Sequence, residues 1–117
     1  MSPLLADPKA WLILFVAGLL EVVWAVAMKA SAGFTRLPYT VLTLAAAWMS
    51  FWLLGLAMRC LPVGTAYAVW TGIGAIGAAV LGIVLFDEPA TLARVGCIAL
   101  IAVGILGLKF LASQGVG

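Results

Sequence analysis

The sequence predicts an all-α membrane protein of four transmembrane helices, and three observations carry that prediction. Of its 117 residues, 67% are hydrophobic and 9% charged, whereas a soluble domain of this size needs far more polar surface. The charges leave long clean runs: Leu37 to Met58 and Cys60 to Phe86 carry none, and Lys9 to Lys29 encloses only Glu21. The segments between the runs, "ASAGFTRLP", "RCLPVG" and "DEPAT", are short and hold the Pro, Gly or Ser that end helices.

A helix crossing the hydrocarbon core needs about 20 apolar residues, which places the spans near 10–29, 38–58, 64–85 and 92–112. The first lacks the basic start and cleavage site of a signal peptide, so it counts as a span. The second and third are uncharged throughout. The fourth reaches full length only if Arg94 and Lys109 snorkel toward the headgroups. Four spans leave almost no chain for a soluble part, so residues 1–117 are expected to form one membrane domain in the lipid bilayer. Short links also make consecutive helices antiparallel neighbours. Cys60 and Cys97 have no metal or redox spacing, and the chain has no histidine to complete a ligand set. Neither a metal, a cofactor nor an enzymatic site is implied, and nothing points to nucleic acid.

The basic residues divide evenly between the two membrane faces. Lys9, Arg59 and Lys109 fall on one side, and Lys29, Arg36 and Arg94 on the other. Orientation normally follows an excess of Lys and Arg on the cytoplasmic side, and here there is none. Weak topology signalling rescued by a local feature is one reading of this balance; the favoured one is dual topology, in which copies insert both ways and pair as an antiparallel homodimer. Four short helices alone can hardly enclose an aqueous site. One half of a heterodimeric pair would instead carry a marked charge bias.

Glu21 is the residue that most needs an explanation. On a helix it shares a face with Leu14, Gly18, Ala25 and Met28, with Trp24 one turn beyond. About ten residues into its span, it lies roughly 15 Å deep, near the bilayer midplane. An acidic residue there costs about 2.5–3.5 kcal/mol on insertion scales, so intramembrane acids are functional by default. Glu21 is therefore expected to exchange protons, and no Lys or Arg lies at its depth to neutralise it. Its alternative is a neutral acid acting as interhelical glue in a non-transporting scaffold.

The other helices offer fewer groups. On the third, Tyr67 and Trp70 are i, i+3 neighbours. Tyr67 reads equally as an interfacial aromatic. Gly74, Ala78 and Gly82 form a small-residue stripe for close helix approach, and Gly72, Gly74 and Gly77 make a hinge. Ser50 on the second helix, by pattern alone, back-bonds to the Ala46 carbonyl. The fourth helix has Gly96, Gly104 and Gly107 but no midplane ionisable group, which suggests packing between subunits.

With these residues in place, the chain resembles the small multidrug resistance family over essentially its whole length. The membrane-embedded glutamate, "MKASAGFTRL", "SFWLL" and "LPVGTAYAVWTGIGA" carry the resemblance. It implies an antiparallel dimer in the bacterial inner membrane that exchanges protons for cations. Within the family, Trp24 and "MRCLPVGTAYAVWTGIGAIGA" look like the guanidinium exporter subtype. The quaternary-ammonium and polyaromatic drug exporters commonly have a small residue in place of Trp24. By resemblance, Glu21 binds substrate or proton, Gly18, Trp24, Ser50 and Trp70 orient it, and Tyr67 lines the pocket. "DEPAT" departs from the family's frequent glycine before its glutamate. Guanidinium suits such a site, because its N–H pairs match a carboxylate bidentately and indole faces attract cations.

Overall fold

The structure is a computed structural model that describes residues 8–114, so both ends of the expected 1–117 domain lie outside the described residues. Four helices follow one another: α1 (Pro8–Ala30), α2 (Leu37–Ala57), α3 (Val63–Phe86) and α4 (Leu92–Ser113). Each is long and apolar enough to cross a membrane. Their ends lie within two residues of the expected spans, because the turn chemistry is explicit in the sequence.

Pro8 opens α1, where a missing N–H costs nothing. Its exit is unusual: Ala32, Gly33 and Phe34 are consecutive left-handed residues, with φ of 51°, 75° and 65°. Fully buried Ser31 holds this link. Its hydroxyl donates to the Met28 carbonyl at 2.7 Å and accepts from the Phe34 N–H at 3.0 Å. Proline lies in the first turn of α2, and Pro62 precedes α3. At the end of α3, Asp87 is left-handed (φ 55°, ψ 33°), and the Glu88 N–H bonds back to the Gly82 carbonyl at 3.2 Å. This is the geometry in which glycine is usual, and it explains why "DEPAT" can depart from glycine: Asp tolerates αL better than most side chains. Thr91 caps α4, its hydroxyl accepting from the Arg94 N–H at 3.2 Å.

α1 is the hub. It packs along α2 and α3, while α4 packs mainly on α3 and touches α1 through Lys109 and Trp11, and α2 meets α3 lightly. The core between α1, α2 and α3 includes Leu14, Ala17, Leu54, Ala57, Ala66 and Val69. Outward-facing leucines, valines and aromatics cover the rest, which suits lipid as the solvent. In α4 only 6% of the most apolar window is buried, against 22–28% in the other helices. One copy is a flat slab, 17 Å in its shortest extent, with α4 open along one face. The basic residues sort by end as the alternating topology requires. Lys29 and Arg94 border one cavity of about 290 Å³, and the Lys109 ammonium lies 5.0 Å from the Trp11 ring centre at the opposite end.

Candidate functional site

α1 presents Glu21 toward α3, and what receives it there is the backbone at Gly74. A Cβ built on Gly74 would overlap the Glu21 carboxyl, meeting Oε1, Cδ and Cγ. The acid therefore lies flat against α3. Glu21 Oε1 and Trp24 Nε1 are the two buried side-chain polar atoms without a hydrogen-bond partner among the described residues. A buried carboxyl oxygen and a buried indole N–H left so are costly. In a native protein they call for an explanation, and a bound proton or cation is one for the carboxyl.

Gly18, one turn before Glu21, does the reverse of Gly74. A Cβ there would meet Ile73 Cγ2 at 2.6 Å, so the α1 glycine receives an α3 side chain beside the α3 glycine that receives an α1 side chain. Gly77 accepts Val22 in the same way. Gly72 points elsewhere, toward Ile105 and Ile101 of α4. The glycines expected as a hinge are thus all contact positions, and α3 runs through them as an unbroken helix.

Ser50 and Trp70 form a second group. The fully buried Ser50 hydroxyl donates to the Ala17 carbonyl at 2.7 Å and accepts from Trp70 Nε1 at 2.9 Å. Back-bonding to Ala46, the expectation from pattern alone, is corrected. α1 lies close enough to α2 at buried Ala17 that an interhelical carbonyl accepts the Ser50 proton. Ala17 is also the residue whose carbonyl accepts from the Glu21 N–H in an α-helix. Ser50 and Trp70 therefore pin the turn that carries Glu21, and no hydrogen bond joins them to its carboxyl among the described residues.

The aromatic residues form a continuous run. Trp24 and Phe51 meet edge to face at 6.3 Å, Phe51 and Trp70 lie 5.6 Å apart, and Tyr67 and Trp70 5.4 Å apart. Such offset contacts fix ring orientation. Tyr67 and Phe51 are both more than half exposed, whereas Trp70 is buried. Phe51 was missed by sequence reasoning, although its place beside Ser50 in "SFWLL" was the available signal. Gly96, Gly104 and Gly107 stand apart from all of this, exposed on α4 with nothing within 4 Å of an added Cβ.

At the far end of α3 the carboxyl of Glu88 meets the Arg94 guanidinium at 2.6 Å, and a second Arg94 nitrogen donates to the Pro89 carbonyl at 3.0 Å. Gly82 makes room for that carboxyl as Gly74 does for Glu21.

Comparison with known proteins gives a consistent result. A family model described as Small Multidrug Resistance protein matches residues 9–101. A protein named guanidinium exporter from Yersinia pseudotuberculosis is 59% identical over 100 residues, covering 86% of this chain and 96% of that one. Proteins of the same name from Salmonella typhimurium and Proteus vulgaris are 57% and 54% identical over 100 residues. Each alignment covers 86% of this chain, with 95% and 96% of theirs.

Proposed function

The chain belongs to the small multidrug resistance family, and from that premise we propose that it exports guanidinium and small guanidinyl cations in exchange for protons. It is a multi-pass transport protein of the bacterial inner membrane. The observation that carries the proposal is the Glu21 carboxyl, buried at one oxygen, with no basic partner among the described residues and the Trp24 indole one turn away. The names of the relatives support guanidinium as the substrate.

Proton and substrate compete for the same carboxyl. Protons taken up from the acidic side leave when a guanidinium ion, offering paired N–H groups, arrives from the other. Trp24, Phe51 and Trp70 supply ring faces, each worth about 0.5–2 kcal/mol toward a cation. The 17 Å slab supports an assembly in which a second, antiparallel copy closes the site and brings its own Glu21. The even division of basic residues supports the same pairing. Gly96, Gly104 and Gly107 on the open face of α4 would pack between copies. Access then alternates around a fixed midplane site as the subunits exchange roles, with Gly72, Gly74 and Gly77 the place where α3 flexes.

The test is proton release from detergent-solubilised protein. Guanidinium is expected to release protons, and a bulky lipophilic dication is not. A response to the dication alone would move the chain to the drug-exporting subtype. Competition also fixes the sign of the pH dependence: apparent guanidinium affinity weakens as pH falls and levels off on the alkaline side. Labelling of single cysteines placed at each end should find both orientations, and a single orientation would overturn the antiparallel pairing.

A further inference from the structure

We propose that Gly74 is the seat of the Glu21 carboxyl, a positioning residue that sets where the transported cation and the proton are met. The inference rests on Glu21 being the exchanging acid, and it adds what holds that acid in place.

Few groups in the molecule could do so. Among the described residues no hydrogen bond reaches Oε1 of Glu21. No charged side chain faces it from α2 or α3, which carry none between residues 37–58 and 60–86. The charges of α4 lie near its ends, at Arg94 and Lys109. A flexible three-torsion side chain in that setting is held by shape alone. The shape is provided by α3, where the missing side chain of Gly74 leaves a recess that takes Cγ, Cδ and Oε1 together.

The recess is also held in register. Ile73, the residue before Gly74, fills the space over Gly18, and Val22, the residue after Glu21, fills the space over Gly77. Acid and recess are therefore bracketed on both sides by apolar knobs, so α1 cannot slip along α3 without unseating them. A β-carbon at 74 would push the carboxyl out of the recess, and displacements of about 1 Å at a reacting group can cost 100-fold.

A hinge and a seat make different predictions for the same substitution. If Gly74 serves only to let α3 bend, Gly74→Ala and Gly72→Ala should act alike and should ignore the length of the acid at 21. If it is the seat, the two positions separate. Gly72→Ala meets the mobile end of Ile105, with Cδ1 at 2.8 Å, and leaves the acid untouched.

The experiment is a double-mutant cycle of Gly74→Ala with Glu21→Asp, with Gly72→Ala as control. It is read by carboxyl ¹³C NMR titration, which needs no substrate, and by guanidinium-driven proton release. Gly74→Ala is expected to weaken guanidinium binding about tenfold or more and to move the titration midpoint by about half a pH unit or more. In the Glu21→Asp background, where the acid is one methylene shorter, Gly74→Ala should cost about threefold or less, the non-additivity that marks contact. Gly72→Ala should leave the midpoint in place. Equal costs in both backgrounds, or an equal midpoint shift from Gly72→Ala, would overturn the seat. Should Gly74→Ala fail to fold, the unaltered protein decides through a Gly74 Hα to Glu21 Hγ nuclear Overhauser contact, whose absence sinks the inference. A protein that shows the contact and the midpoint shift but releases no protons to guanidinium would keep the seat and lose the substrate.

Discussion

Glu21 and Glu88 lie over glycines of the same helix, Gly74 and Gly82, and differ in what completes them. The two glycines are eight residues apart, about 12 Å along α3. At the end of the helix, the chain supplies its own guanidinium: Arg94 bonds Glu88 and folds over the loop to the Pro89 carbonyl. At the middle, the same kind of packing leaves a carboxyl oxygen without a partner. One acid has its cation tethered within the chain, and the other, on the function proposed above, takes its cation from outside. The contrast shows that packing a carboxylate against a glycine is not itself the function. What decides the role is whether a cation comes with the chain.

The comparison is broken most directly by neutralising each acid. Glu21→Gln should reduce proton-driven guanidinium uptake in proteoliposomes by about 100-fold or more, since it removes the exchanging group. Glu88→Gln should leave uptake within about threefold, because an exposed pair contributes little. Equal losses would mean that both acids handle substrate. A smaller effect is expected of Ser50→Ala, which strands the Trp70 indole N–H and frees the turn carrying Glu21. It should lower stability by about 1–2 kcal/mol, read as the midpoint of SDS-induced unfolding in mixed micelles. Loss of guanidinium affinity should accompany it.

The smallest effects belong to the loop. Arg94→Ala should change stability by under about 1 kcal/mol, since both partners are about a third exposed. Asp87→Gly should raise it by about 1 kcal/mol or less by relieving a left-handed non-glycine residue. The same unfolding curve measures both. Destabilisation by Asp87→Gly would mean that the Asp87 side chain, and not its backbone, matters there.

The helices were legible in the sequence because lipid imposes a composition and prolines and glycines punctuate it. Pro38, Pro62 and the residues 87–91 between α3 and α4 mark where spans stop and start, whatever their neighbours. Glu21 was legible for the same reason, as a charge where none is tolerated without cause. Contacts between helices were not. The face of α1 holding Glu21 was read correctly at Leu14 and Gly18, both buried, while Met28 on the same face is exposed. Periodicity gives the face and not how far a neighbour covers it. Ser50 illustrates the limit: a hydroxyl on a helix can always reach its own preceding turn, and only the approach of α1 diverts it to Ala17. Phe51 was hidden likewise, because its partners stand on other helices at separations no spacing rule covers. Gly74 read both as a place of close helix approach and as a place to bend; that the group approaching it is the Glu21 carboxyl was not legible.

The interlocked glycines of α1 and α3 have a mechanical consequence. Ile73 in the Gly18 recess, Glu21 in that of Gly74 and Val22 in that of Gly77 work like the teeth of a key. A helix so engaged can shift along its neighbour only by lifting clear, and the next equivalent register lies one turn, about 5.4 Å, away. α1 and α3 therefore keep one register with the acid clamped between them. Whatever opens the proposed site to one side of the membrane and then the other must preserve that register, by bending α3 or by moving along the looser seam where α2 brushes α3.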